Sequence, residues 1–482
     1  LRTKILPASI ALAVFIIGLV GNRLNSVYTL RLALGSILIV FLLRYPYVLV
    51  ITWALISVVV SENIPIFTSS NILTGLTVPT LLLMTYLPVS ALLKRMPPLW
   101  FLLIYLVWVF AGIGISEIGV GPFLTIWLTD LDYLVVALLT VHILTTQRRL
   151  HRLIDILILG GTFVSLFGIY GYITRQNGVM DSTTSLFRIF SIFAAAPALA
   201  LFLSILIPLA LYRASTVRGW KQAGTVLSVL LLLTTILLTF ARGAFIAIPI
   251  SVLVIVLLMP NRKTRITLIA CTVGLALGVL LVMWMGDIPI FDRFLNQDVG
   301  TFNGRTLLWR ALLDHFDPKQ LLGNGLTASS QLLARLQVSL NGGLIANAPS
   351  NIFLGTLYDH GIIGLGLLLV MLIALLIGII KGVRRTKGEQ RMLFVVALAI
   401  LVSVVLQLLE QDDFWVRAIG IYFWVIIALP FSRCWDSVEK ASDDDDDIGD
   451  RITDTRIEVP WWLRKRDPIP TSQGTPQPLR SE

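Results

Sequence analysis

Apolar segments long enough to cross a lipid bilayer follow one another along almost the whole chain. They run near 5–22, 28–43, 46–60, 72–92, 98–116, 124–146, 152–173 and 191–212. Further runs lie near 222–240, 243–259, 266–286, 362–380, 391–409 and 414–432. A helical span needs about 20 mostly apolar residues, and no soluble domain has an interior that could bury so many. The chain is 56% hydrophobic and 14% charged over 482 residues, so lipid must be its main solvent. A backbone in lipid must satisfy its own hydrogen bonds, which helices do. The prediction is an all-α polytopic membrane protein with roughly 12–14 transmembrane helices and a folded extracytoplasmic loop. The runs at 28–43 and 46–60 are short enough to be tilted or re-entrant. The first run leads straight into others, so no cleavable signal peptide is expected.

Basic residues then orient the spans. Alternate connections carry Arg2 and Lys4, Arg44, Lys94 and Arg95, Arg148, Arg149 and Arg152, and Arg213, Arg218 and Lys221. The series continues with Arg262, Lys263 and Arg265, then Lys381, Arg384, Arg385, Lys387 and Arg391. The intervening short connections offer only Arg23, Arg175, Arg188 and Arg242. The positive-inside rule makes the first set cytoplasmic and puts both termini of this multi-pass chain inside. The formal charge of +10 is thus mostly a topology signal, and nucleic acid is not an expected partner. Cys271 and Cys434 form no disulfide framework and no metal-ligand cluster, so no metal or other cofactor is expected.

This orientation divides the chain into a membrane domain over 1–432 and a cytoplasmic tail over 433–482. The tail, with "SDDDDDIGD" and "TSQGTPQPLR", reads as disordered. Its "VPWWLRKRDP" joins two tryptophans to a basic cluster that could touch an anionic leaflet. Residues 287–350 fall outside the membrane. There "FNGRTLLWRALLDHF" has the spacing of a short amphipathic helix, and "LLGNGL" and "NGG" supply turns. The apolar residues Leu307, Leu308, Leu312, Leu313 and Phe316 argue for a folded cap. Trp309 reads as packing of that cap rather than as a platform for a sugar ring.

Arg188, Arg242, Arg305 and Arg310 all lie on the outer side, where positive charge is otherwise scarce. Any one of them could be a helix-end anchor that snorkels to the interface. As a group they suit a clamp for phosphate oxygens, since the guanidinium fork matches that geometry and stays charged. A reaction on this side has no ATP to draw on, so its donor must arrive already activated and membrane-bound. A polyprenyl diphosphate sugar meets that need.

At this point the sequence resembles the O-antigen ligase and polymerase family. The resemblance is carried by "NGRTLLWRALLDHF", "LLGNGL" and "SNIFLGTLYDHGIIGLG", in that order. "LLTFARGAFIAI" is similar to the family's "SRG" hairpin with Ala241 where Ser is usual, and "FRIFSIFAAAPALALFL" to a segment in which Arg precedes a Pro-containing helix. It covers about Arg188 to Phe431. It implies a metal-independent membrane glycosyltransferase, an undecaprenyl-diphosphate-linked glycan as donor, and a glycan or lipid acceptor. It also implies that Arg188, Arg242 and Arg305 contact the diphosphate. Asn351 takes the place of the Asn in the family's "HN" pair, and Asp359 that of the acidic residue before "GxxG". Ser350 stands where the family has His, and a lone Ser is a poor general base. That leaves Asp359 and His360 as the candidates for proton transfer, with His315 also near; for the histidines a surface or helix-end position is the competing reading.

Other polar residues in the apolar runs need weighing. Asp130 and Asp132 in "LTDLDYL" are costly there, and such carboxylates are either functional or paired, an outer arginine being one candidate partner. "EQDD" at 410–413 reads as a solvated turn, with acceptor binding the less favoured role. His142 and His151 sit toward the cytoplasmic side. Three rival readings remain: a transporter or flippase of lipid-linked sugar, a peptidoglycan polymerase of the shape, elongation, division and sporulation family, and a structural membrane component with no chemistry.

Overall fold

The computed structural model describes residues 44–59, 87–180, 187–259, 265, 305–317, 321–336 and 348–436. The expected spans at 5–22, 28–43 and 266–286 and most of 72–92 lie outside the described residues, as do parts of the 287–350 loop and the tail beyond 436. Every other apolar run is helical. In chain order the helices are α1 (Pro46–Val59), α2 (Val89–Arg95), α3 (Pro98–Ala111), α4 (Val120–Ile143) and α5 (Gln147–Thr174). A hairpin of β1 (Gly178–Met180) and β2 (Phe187–Ile189) precedes α6 (Ala196–Thr216), α7 (Trp220–Thr239) and α8 (Arg242–Leu258). The cap contributes α9 (Arg305–Asp314) and α10 (Ala328–Arg335). Last come α11 (Ile352–Arg385), α12 (Gly388–Leu408) and α13 (Arg417–Ala428). Among the described residues seven helices are long and apolar enough to cross a membrane, or eight if the bent pair α2–α3 is one span. The pair turns through 119° at Met96–Pro97–Pro98, where the prolines forbid a continuous helix.

Burial sorts the helices into core and rim. The apolar window of α6 is 94% buried, whereas those of α7 and α11 are 28% and 33% buried and leave broad faces for lipid. Beyond α13 the short turn Arg433–Trp435 packs Cys434 and Trp435 inward. One end of the bundle is held by charged ties. Arg213 donates to both oxygens of Asp155 at 2.6 and 2.9 Å, linking α6 to α5. Glu389 of α12 takes a hydrogen bond from Tyr212 at 2.6 Å and lies 2.5 Å from His151. His142 and His151 thus belong to the end that carries the basic connections.

At the other end α11 is interrupted. Gly361 has φ 70° and ψ −173°, a conformation that side chains resist, and helical hydrogen bonding stops there. The "GNG" turn of the cap fills the break. The Asn324 and Gly325 amides donate to the Tyr358 and Asp359 carbonyls at 3.0 and 2.9 Å. Trp108 Nε1 donates to the His360 carbonyl at 3.1 Å. The backbones approach so closely that a Cβ on either Gly323 or Gly361 would collide with the opposite strand of chain. Carbonyls that a broken helix would otherwise leave orphaned are satisfied in this way.

The cap has a small core of its own. Leu308 and Leu312 of α9, Leu333 of α10 and Tyr358 of α11 pack together, with Trp309 and Phe316 against them. The amphipathic spacing of "RTLLWRALLD" therefore serves packing on one face.

Candidate functional site

A cleft opens where β2, the α7–α8 turn, the start of α9 and the end of α12 meet. Its lining comprises the polar side chains Arg188, Arg242, Arg305, Gln407, Glu410 and Gln411, with Pro197 and the rest of the 240–244 turn. Each arginine is aimed there by local structure. On β2, Phe187 and Ile189 are buried and Arg188 between them projects from the other face, as strand alternation requires. Arg188 Nε donates to the Thr239 carbonyl at 3.1 Å, one of the orphan acceptors at the end of α7. Phe240 then takes a left-handed conformation and Ala241 an extended one, so α8 restarts at Arg242. Ala241 occupies the N-cap of α8 and supplies no side-chain hydrogen bond. The positive end of the α8 dipole therefore faces the cleft with no side-chain cap.

Arg305 opens α9 and reaches the same cleft, its Nη1 3.4 Å from Glu410 Oε2. Burial holds its guanidinium below the usual arginine range, Glu410 opposes that shift, and Arg242 adds to it. It remains charged nonetheless. Burial raises the Asp412 carboxyl in the neighbouring turn, partly offset by Arg305. Gly243 matters by its absence of side chain: a Cβ there would come within 3.1 Å of Glu410 Oε2. Among the described residues the lining carries three guanidiniums and one carboxylate, a setting suited to an anion.

The remaining expected residues fall into other roles. Arg310 is exposed on the far side of α9 and does not line the cleft. Trp309 packs in the cap core. Asn351 caps α11, accepting from the Phe353 and Leu354 amides at 2.9 and 3.1 Å. Its Nδ2 also donates to the Leu409 carbonyl at 3.1 Å, which steadies the turn that carries Glu410. Ser350 precedes it with φ 51°.

Asp359 and His360 are not among the lining residues. Asp359 Oδ1 accepts from the Ser329 amide at 2.6 Å, so the carboxylate caps α10 and ties the cap to α11. His360 is buried edge-on against Tyr105, with ring centroids 6.1 Å apart. His315 is exposed and bonded to the Ala311 carbonyl of its own helix. Asp130 and Asp132 are buried in α4, and the nearby positive field on Asp130 comes from Arg417. Arg417 Nη2 donates to Thr129 at 2.5 Å. Among the described residues no group of three or more His, Cys, Asp or Glu is placed to hold a metal ion.

Glu410, Gln407 and Gln411 are lining residues that the sequence alone does not single out. A signal was present: Gln407 and Gln411 recur four residues apart at the end of an apolar helix, with Glu410 beside them. An acidic turn next to "DD" looked merely hydrated.

Compared with known families, residues 227–369 match the one described as O-antigen ligase. The match takes in Arg242, Arg305, Asn351 and Asp359, while Arg188 and Glu410 lie outside it. No curated protein matches the chain.

Proposed function

We propose, from the premise that this chain belongs to the O-antigen ligase family, that it moves a glycan from undecaprenyl diphosphate to an acceptor hydroxyl at the outer face of a bacterial plasma membrane. The observation that carries this reading is the convergence of Arg188, Arg242, Arg305 and an uncapped helix start on one cleft that also holds a carboxylate. The acceptor is a glycan or a lipid.

In this reading the diphosphate lies among the guanidiniums and the α8 amides. The acceptor oxygen attacks the anomeric carbon as the bond from that carbon to the diphosphate oxygen breaks. The bonding electrons leave with undecaprenyl diphosphate, and the arginines absorb the developing charge. Glu410 takes the acceptor proton. It is the only carboxylate lining the cleft among the described residues, and it needs no metal to do so.

The direct test is purified protein with an undecaprenyl-diphosphate-linked oligosaccharide. The expected products are free undecaprenyl diphosphate and a lengthened or transferred glycan, with the rate unchanged by a chelator. A flippase would move the lipid without releasing diphosphate, and that result would overturn the reading. Activity abolished by chelation and restored by magnesium would overturn the arginine clamp.

The proposed orientation has its own test. A reporter after Arg385 is expected in the cytoplasm and one near Ser330 outside it. The reverse at both positions would put the cleft on the wrong side for a reaction that has no ATP.

A further inference from the structure

Two side-chain amides line the cleft, those of Gln407 and Gln411. The Gln407 side chain is nearly closed off, and its Nε2 donates to Ser204 Oγ at 2.7 Å. Ser204 spends its own proton on the Leu201 carbonyl, so it can only accept from Gln407. That fixes the amide with its carbonyl oxygen turned away from Ser204. Gln411, one turn further on, is 5% exposed, and its side-chain Oε1 is buried with no hydrogen-bond partner. A buried amide oxygen without a partner destabilises a fold, and an apolar side chain such as leucine would avoid that cost.

Chemistry narrows the ligand for these carbonyls. An amide oxygen repels phosphate oxygens, so it adds nothing to diphosphate binding, which the arginines already serve. It needs an O–H or N–H donor. On a glycosyl diphosphate such donors sit on the sugar, next to the phosphorus. We infer that Gln411, with Gln407 beside it, forms a subsite for an uncharged hydrogen-bonding group, a hydroxyl or an acetamido N–H, on the sugar joined to the diphosphate. This rests on the proposed function and adds a determinant of sugar choice to it. A site built to hydrogen-bond a substrate group rejects analogues that lack it, because its own polar atoms are left bare.

The test uses the full chain in lipid nanodiscs. The probes are bare undecaprenyl diphosphate and undecaprenyl diphosphates bearing galactose, glucose or N-acetylglucosamine. At least one sugar-bearing lipid is expected to bind more tightly than the bare one. Gln411→Leu should weaken that lipid roughly tenfold, the size of one unmade hydrogen bond, and leave the bare lipid unchanged. Its melting temperature should hold or rise, since no internal bond is lost. Arg242→Ala should weaken both lipids, and if it weakens neither, the diphosphate reading itself fails. The subsite is overturned if no sugar improves on the bare lipid, if Gln411→Leu alters neither lipid or both alike, or if the variant melts earlier. An early melt would mean the amide is structural.

Discussion

Arg305→Lys is expected to lower turnover nearly as far as Arg305→Ala, by roughly a hundredfold in each case. Lysine keeps the charge but not the planar fork that holds two phosphate oxygens at once. Charge-assisted contacts made in the transition state are worth about 2–4 kcal/mol by analogy with oxyanion-hole donors. Folding should survive both changes. Arg305 lies at the first position of α9, and the cap core is made by Leu308, Leu312 and Leu333 without it. Its 3.4 Å contact with Glu410 is long and partly hydrated, so losing it should cost no more than about 1 kcal/mol. Turnover per folded molecule, with melting temperature alongside, separates the roles. A purely structural arginine would let lysine work and would link every loss of activity to loss of protein. Near-wild-type turnover in the alanine variant would remove Arg305 from the site.

Glu410→Gln should cost more, roughly a hundredfold to ten-thousandfold in kcat, the usual range for a lost general base. Donor binding should change the other way. Removing this carboxylate, the one among the described lining residues, releases Arg305 from its ion pair and leaves the cleft more positive for a diphosphate. The expected pattern is a collapse of kcat with donor KM equal to or below that of wild type. A residue that merely shaped the turn would raise KM or lower stability instead. Unchanged kcat in Glu410→Gln would show that the proton goes elsewhere.

The spans and the arginine set were legible because each follows from local chemistry. Lipid-length apolar runs define helices, and a guanidinium is conspicuous where positive charge is rare. Arg188, Arg242 and Arg305 could be grouped without knowing how the helices pack. Arg310 could not be told from them, because a shared side of the membrane does not mean a shared face of α9. Glu410 became visible only through packing, since nothing in "EQDD" says that α8 will approach closely enough to need Gly243. The β1–β2 hairpin that aims Arg188 has three-residue strands, too short to leave a periodic trace. Asp359 stands in a motif that invites a catalytic reading. Its partner is the Ser329 amide, thirty residues earlier in the chain, and no spacing rule links the two.

The break in α11 bears on how such a protein is made. The cap's "GNG" turn precedes α11 in the chain, yet its amides find their acceptors only on the carbonyls that Gly361 exposes. Asp359, which caps α10, arrives with the same helix. The cap emerges during synthesis before the element that completes it, and it settles only once α11 has been inserted with its break at the right depth. Arg305 and the α12 turn reach their places around that same junction, so a chain threaded one span out of register would present its arginines without assembling the cleft. The cleft is complete only once α12, whose end carries Gln407 and Glu410, has followed α11.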